Sequence, residues 1–469
     1  MNTRFCGGKL RWLVFFLLVL FVCIVGLFVP EPVSQYSPDS ETLARLDKAD
    51  IAWMITASAL VMLMTPGLSF FYGGMVRPKN VISTMLQSIV SIGLVSVVWV
   101  VIGFSLAFGD SCYGLFGDPR TFFMFRNVGA SPDGIKGLTL SIPLVLYALF
   151  QMKFAIITPA LITGSFAERV HFSGYLTFMT LFTIFVYAPL AHWTWHPDGF
   201  LAWMGVKDFA GGIVVHASSG VAALAGALYL GKRAESGEHV PANIPMVLMG
   251  ACLLWFGWFG FNGGSFLTAD AGAVKAFLNT NTASASAMLT WFLFDALLGR
   301  KPSAMGAAVG CVAGLVGITP CAGWVTVGES LFIGMVTALV CNTAVHLRNR
   351  TGVDDALDVF STHGVGGILG TVLTGVFVGG LMDGNPRIFF VHVLGVSIVI
   401  AYSFIVSYFL YWITDRMVNM RVNAAHERLG LDRSQHGEHY GILYDEEAAD
   451  EEHEIREVAQ GNVTHIKRA

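Results

Sequence analysis

The chain has 469 residues, 54% hydrophobic and only 13% charged, with a net charge of −4. Soluble domains carry roughly 25% charged residues, so the composition excludes a soluble globular protein and points to an all-α, polytopic membrane protein. Most of the seven cysteines lie inside apolar runs and none forms a C-x-x-C pair, so neither a disulfide framework nor a metal motif is present. The charge balance calls for no nucleic-acid partner, and no cofactor motif appears.

In chain order, Arg4, Lys9 and Arg11 precede an apolar run from Trp12 to Val29, closed by Pro30-Glu31-Pro32. Residues 1–30 read as a secretory signal peptide, with an uncleaved anchor helix as the alternative. At about 20 apolar residues per span, eleven transmembrane helices follow: 51–74, 83–108, 138–165, 173–191, 211–230, 245–266, 273–298, 303–319, 324–346, 360–380 and 388–413. Starting the first span outside places nine basic residues in short cytoplasmic loops, from Arg77 to Arg350, against six in longer outer loops. The positive-inside rule then favours a cell-membrane protein with its N-terminus outside and C-terminus cytoplasmic. The membrane domain covers 31–413 and a cytosolic tail 414–469. Asp445 to Glu454 holds seven acids in ten positions and reads as disordered. The preceding GLDRSQHGEHYG is suited to docking on the cytoplasmic face.

Two histidines stand out. His216 and His363 lie in the middle of apolar helices, where an ionisable side chain is costly and marks a functional site by default. Each lies eight residues after an aspartate, Asp208 or Asp355, and four before a glycine, Gly220 or Gly367. His216 falls in the fifth span and His363 in the tenth, so the two helices run in opposite directions. That is an inverted 5+5 repeat plus a final helix, a plan that places the site between the halves near the membrane midplane. Both aspartates sit at helix N-termini, where a carboxylate caps free N–H groups. Capping accounts for Asp355; Asp208 combines capping with function.

The stretches PGLSFFYGGMVRPKN (66–80), FAIITPALITGSFAER (154–169), DFAGGIVVH (208–216), WFGFNGGS (258–265), GLVGITPCAG (314–323), DDALDVFSTHGVGGILG (354–370) and GLDRSQHGE (430–438) resemble the Amt/Mep/Rh ammonium transporter family, the Amt branch in particular. The resemblance implies a homotrimer with one pore per protomer, and PII-type signal proteins as cytoplasmic partners. It also implies an outer ammonium site lined by Phe150, Phe154, Trp195 and Ser265. Asp208 would be the acid needed near it, and Ala210 would offer a backbone carbonyl beside it. Phe154 and Phe261 would form a stacked phenyl gate, and His216 and His363 a paired-histidine pore.

The chemistry suits these residue types. Aromatic faces attract a cation by ~0.5–1 kcal/mol when exposed and ~2 or more when desolvated, and Ser265 can accept from ammonium, or from methylammonium as its analogue. Crossing hydrocarbon as a bare cation costs from ~3 to well over 10 kcal/mol, which favours deprotonation at the gate. Imidazoles, able to donate and accept, then line the way for ammonia and for a proton. Lys153 departs from the family pattern. It either snorkels to the interface, or weakens cation recruitment or pairs with an outer acid. Two other classes compete. An Amt-like sensor that conducts poorly is kept open by Lys153 and the acidic tail. An intramembrane enzyme lacks any nucleophile motif or third metal ligand.

Overall fold

A computed structural model describes residues 3–30, 33–234 and 240–441. The acidic stretch Asp445–Glu454 and His239 lie outside the described residues. The main helices are α1 (Thr3–Phe28), α2 (Lys48–Met75), α3 (Val81–Val98), α4 (Leu144–Phe166), α5 (Phe172–Phe182), α6 (Ser218–Leu230), α7 (Ile244–Gly264), α8 (Ala271–Leu297), α9 (Ala304–Ile318), α10 (Val327–Asn349), α11 (Val365–Phe377) and α12 (Pro386–Val418), followed by a short α13 (Ala424–Leu429). Side-chain caps start several of them. Asp47 accepts from the amides of Ala49 and Asp50 (2.8 and 3.0 Å), and Thr326 and Glu329 form a reciprocal capping box at α10.

Among the described residues ten segments, α1 included, are long and apolar enough to cross a bilayer. Two more complete the eleven spans after the leader. α8 has 27 residues but carries Lys275, Asn279 and Asp295, and α9 is apolar but only 15 residues long. The polarity of α8 serves packing: the Asn279 amide donates to the carbonyls of Ala322 and Val325, both at 2.8 Å.

The expected boundaries differ in three places, one being the last span, which runs on past 413 to Val418 as α12. The third span starts at Leu144 rather than 138, because Pro143 stands as its N-cap. The fourth continues past 191: a π-turn, Thr183–Tyr187, carries α5 into a further helix, Ala188–Trp195. His192 in this helix and His196 just past it are both buried. The His192 ring bonds the carbonyl of Ala107 (3.0 Å) and the Ser111 hydroxyl (2.8 Å) and stacks on His196.

The two halves meet through glycines. α2 and α7, the first helix of each half, approach so closely that a Cβ at Gly250 would lie 2.3 Å from the Phe71 amide nitrogen, and one at Gly257 would lie 2.4 Å from Met64. α6 and α11 are antiparallel. Arg233, just past the end of α6, donates its amide to Asp354 ahead of α11 (2.8 Å). At the opposite ends, Gly212 and Gly370 both pack on Pro320. Large apolar side chains such as Met249, Leu289, Leu293, Phe390 and Ile405 are each more than half exposed around the outside, as a lipid-facing surface requires.

The end of the molecule that carries the C-terminal segment, here the tail face, is tied by charge. Glu168 accepts from the guanidinium groups of Arg77 (3.2 Å) and Arg233 (2.8 Å), and Arg233 also pairs with Asp354 (2.9 Å). Burial pushes the Asp354 carboxyl up, but the bonds from Arg233 and the charges of Arg169 and Arg233 outweigh it and hold the group below its ordinary value. Burial brings the Arg169 guanidinium down to about 10. The segment after α12 docks here, as its composition suggested. The Asp432 carboxylate accepts from the amides of Ile82 (3.0 Å) and Ser83 (2.7 Å) at the start of α3, and Asn80 accepts from the Leu431 amide (2.8 Å). Gln435 lies 3.3 Å from the His171 ring, and Asn243 donates to Tyr440 (3.0 Å).

Candidate functional site

At the other end, here the loop face, an aromatic cluster forms where α4, the end of the α5 segment and the end of α7 converge. Phe150 and Phe154 are one turn apart on α4, with ring centroids at 4.9 Å, and Phe154 meets Trp195 edge-on at 5.8 Å. Gly264 seats against the Phe150 ring, since a Cβ there would lie 2.7 Å from it. That contact brings the last turn of α7, with Ser265, to the cluster. The Ser265 hydroxyl donates to the Phe261 carbonyl (2.8 Å), which leaves its lone pairs free to accept. Deeper in, Phe154 stacks on Phe261 at 4.1 Å and 23°.

Trp195 is fixed from behind. Its indole N–H donates to the backbone carbonyl of Asp208 (3.0 Å), and Gly211 packs against the indole ring. The Asp208 carboxylate turns the other way. It accepts four backbone amides: Gly211 (2.9 Å), Gly212 (2.7 Å), Ile213 (2.8 Å) and Val214 (3.2 Å). Asp208 is thus a cap by its side chain and an anchor for the aromatic cluster by its main chain. Ala210, between Asp208 and Gly211, is fully buried. Asp355 makes the corresponding cap with one bond, from the Phe360 amide (2.7 Å).

Both histidines fall within π-helical turns, Gly212–Ala217 and Phe360–Gly364. Such turns occur frequently at functional sites because they break the regular ladder and re-aim a side chain. The histidines face each other: the two Nδ1 atoms are 3.3 Å apart and the rings lie nearly parallel at 5.4 Å. The glycines four residues on make this approach possible. A Cβ at Gly220 would lie 2.1 Å from the Gly364 nitrogen, and one at Gly367 would lie 2.7 Å from the Ala217 nitrogen. Each glycine therefore faces the π-turn of the opposite half.

Trp258, absent from the expected site, completes the row. It lies one turn from Phe261 on α7 and stacks on His216 at 5.2 Å and 16°, with its indole N–H held by Thr319 (2.9 Å). The i, i+3 spacing of Trp258 and Phe261 is the signal that would have found it. A narrow enclosed cavity runs past these groups, lined by Phe261, Trp258, His216 and His363 together with Leu68 and Ile157. Its volume is about 10 Å³, room for about one water-sized molecule.

Lys153 is half-buried on α4 beside this aromatic end. Its ammonium group lies 4.0 Å from the sulfur of Met152. Among the described residues no acid pairs with it, so the ion-pair reading is not seen.

The comparisons with known proteins converge. The sequence profile of the Ammonium Transporter Family matches residues 52–440. An ammonium transporter of Aquifex aeolicus (strain VF5) is 44% identical over 404 residues, 84% of this chain and 94% of the relative. One of Bacillus subtilis (strain 168) is 42% identical over 405 residues, 84% of this chain and 98% of the relative. The crystal structure of Candida albicans Mep2 superposes with a TM-score of 0.76 at 34% identity, covering 82% of this chain and 88% of that one. A structure titled Sensor Amt Protein gives a TM-score of 0.76 at 29% identity, covering 83% and 98%. These relatives are transporters and a sensor of one fold, not enzymes. The chain belongs to the ammonium transporter family.

Proposed function

We propose that the protein moves ammonium nitrogen across the membrane along the row of groups from Phe150 to His363. Ammonium is recruited at Phe150, Phe154, Trp195 and Ser265, with the Ala210 carbonyl available beside them. It loses a proton near the stacked rings of Phe154 and Phe261, and ammonia passes the facing imidazoles. The observation that carries this reading is the continuity of the row. Aromatic faces at the loop face lead to a stacked phenyl pair, and then to a buried histidine pair whose nitrogens are within reach of each other. The cavity beside them is lined by apolar and aromatic side chains and the two imidazoles, a setting that disfavours a hydrated ion and suits ammonia, with imidazole nitrogens as its hydrogen-bond partners. The short histidine separation also offers the proton a path of its own.

Supporting context sets the rest of the proposal. The excess of basic residues in the loops of the tail face favours a cytoplasmic C-terminus, so recruitment takes place outside. In the same frame the leader acts in export, the protein is a homotrimer in the cell membrane, and a PII-type protein meets the tail face. The sensor reading is favoured by one relative of that description at 29% identity, and the transporter reading by relatives of that description at 42–44%. Currents from reconstituted protein with ammonium, methylammonium and potassium distinguish the readings. A transporter gives sustained ammonium-dependent flux with no potassium flux. A sensor gives binding with little or none.

A further inference from the structure

The main chain between Met204 and Gly212 is irregular, and it carries the group that holds Trp195. The helical turn Phe200–Met204 ends at Gly205 in the left-handed region (φ 92°), and the π-turn begins at Gly212. Backbone groups in such a stretch must find partners outside it, because water does not serve them inside a membrane protein. Three of them are met by three other segments. The Asp208 carbonyl accepts from the Trp195 indole (3.0 Å), and the Phe209 amide donates to the Pro320 carbonyl (3.0 Å). The Lys207 amide donates to Nε2 of His392, on α12 (3.0 Å).

His392 is fully buried and stands outside the row from Phe150 to His363. Its Nδ1 lies 2.8 Å from the Ile388 carbonyl, one turn back on α12. The two partners together fix the tautomer. A backbone carbonyl can only accept and an amide N–H can only donate, so Nδ1 carries the hydrogen and Nε2 is a bare acceptor. Close packing holds the ring and the segment in place. A Cβ at Gly375 of α11 would lie 3.0 Å from the His392 Cβ, and one at Gly395 of α12 would lie 2.7 Å from Val206, the residue before Lys207. The Lys207 side chain reaches the other way, with its ammonium 5.9 Å from the centroid of the Trp324 ring.

We propose that His392 is a positioning residue for the outer ammonium site. Its bare Nε2 holds the Lys207 amide, the main chain carries that constraint to the Asp208 carbonyl, and the carbonyl sets the indole of Trp195. Trp195 in turn meets Phe154 edge-on. Without the acceptor on α12 the Lys207 amide is an unpaired donor, and the segment relaxes toward another partner. A cation over an aromatic face responds to where that face points, and small misplacements of a binding group are costly. His392 therefore acts on the affinity for ammonium and not on the later passage of ammonia. The inference rests on recruitment of ammonium at Trp195.

The test is fluorine NMR of the full chain in detergent, labelled with fluorotryptophan, with the Trp195 line assigned from Trp195→Phe. Three variants separate the acceptor from the bulk of the ring. His392→Gln places a side-chain oxygen where Nε2 stood, His392→Asn reaches only as far as Nδ1, and His392→Leu fills space with no acceptor. Before ammonium is added, the Trp195 line should shift in His392→Asn and His392→Leu and keep its wild-type position in His392→Gln. On titration with ammonium chloride, against potassium chloride as control, the midpoint should rise about fivefold in His392→Asn and recover in His392→Gln. In methylammonium uptake the change should fall on the half-saturating concentration, with the maximal rate retained. The two polar variants report even if His392→Leu disturbs folding. An unmoved Trp195 line in His392→Asn, or an equal shift in His392→Gln, overturns the proposal. A wild-type line that ignores ammonium chloride would instead refute recruitment at Trp195, and the salt-free spectra would still decide what His392 holds.

Discussion

Asp208 and Lys153 show how much one side chain's environment decides. In Asp208→Asn the new amide nitrogen must face backbone N–H groups that now point at a carboxylate oxygen. Leaving such donors unpaired costs about 1–3 kcal/mol, and the shifted main chain loosens the carbonyl that holds Trp195. The expected outcome is a lower melting temperature in detergent together with weaker apparent affinity for ammonium. A variant with wild-type melting and wild-type uptake would leave the Asp208 side chain as a dispensable cap. Lys153 has no acidic partner among the described residues and stands one position from Phe154. Replacing it with Met should raise the apparent affinity for methylammonium, read as a lower half-saturating concentration in uptake. An unchanged value would mean that the ammonium group is spent at the lipid interface and does not act on the site.

The decisive elements are the two π-turns and the glycines that face them. Gly220→Ala places a methyl group on the Gly364 backbone, an overpacking of about 1–3 kcal/mol or more. It should spread the histidine pair and abolish transport while protein still reaches the membrane. Transport at the wild-type rate would show that the separation of α6 and α11 is not critical. At the tail face, Asp432 caps α3 from a docked segment. Burial raises its carboxyl to about 6, against the pull of the Ser83 and Ile82 amides. A group raised above its unbound value of 3.8 favours the docked state when protonated. Docking should therefore be tightest below about pH 4 and weaken as pH rises to about 6. Protection factors at Ile82 and Ser83, corrected for intrinsic exchange, check this, and Asp432→Asn should flatten the dependence. The spans, the antiparallel pairing and the equal Asp–His spacing were legible as periodicity and count. The π-turns were not: each faces a glycine of the opposite half, Gly220 or Gly367, a contact that exists only in the fold. The helical course of residues 192–195 was hidden by the polar look of the segment around His192, whose ring bonds the distant Ala107 and Ser111.

For the whole molecule, two inverted halves bring one histidine each to a shared position, and neither half alone builds the row of groups around them. Phe150, Phe154, Trp195 and His216 come from the first half, and Phe261, Ser265, Trp258 and His363 from the second. That division was readable in the sequence only as two matching frames; the side-chain contacts between them needed the fold. The central claim is that the facing imidazoles are the selective part of this path. The most direct measurement is methylammonium uptake into proteoliposomes, competed by ammonium or by potassium, for wild-type protein and for His216→Ala and His363→Ala. The account predicts uptake that ammonium alone suppresses in the wild type, and loss of that ammonium-selective uptake in both variants. Wild-type uptake with undiminished ammonium selectivity in either variant would contradict it.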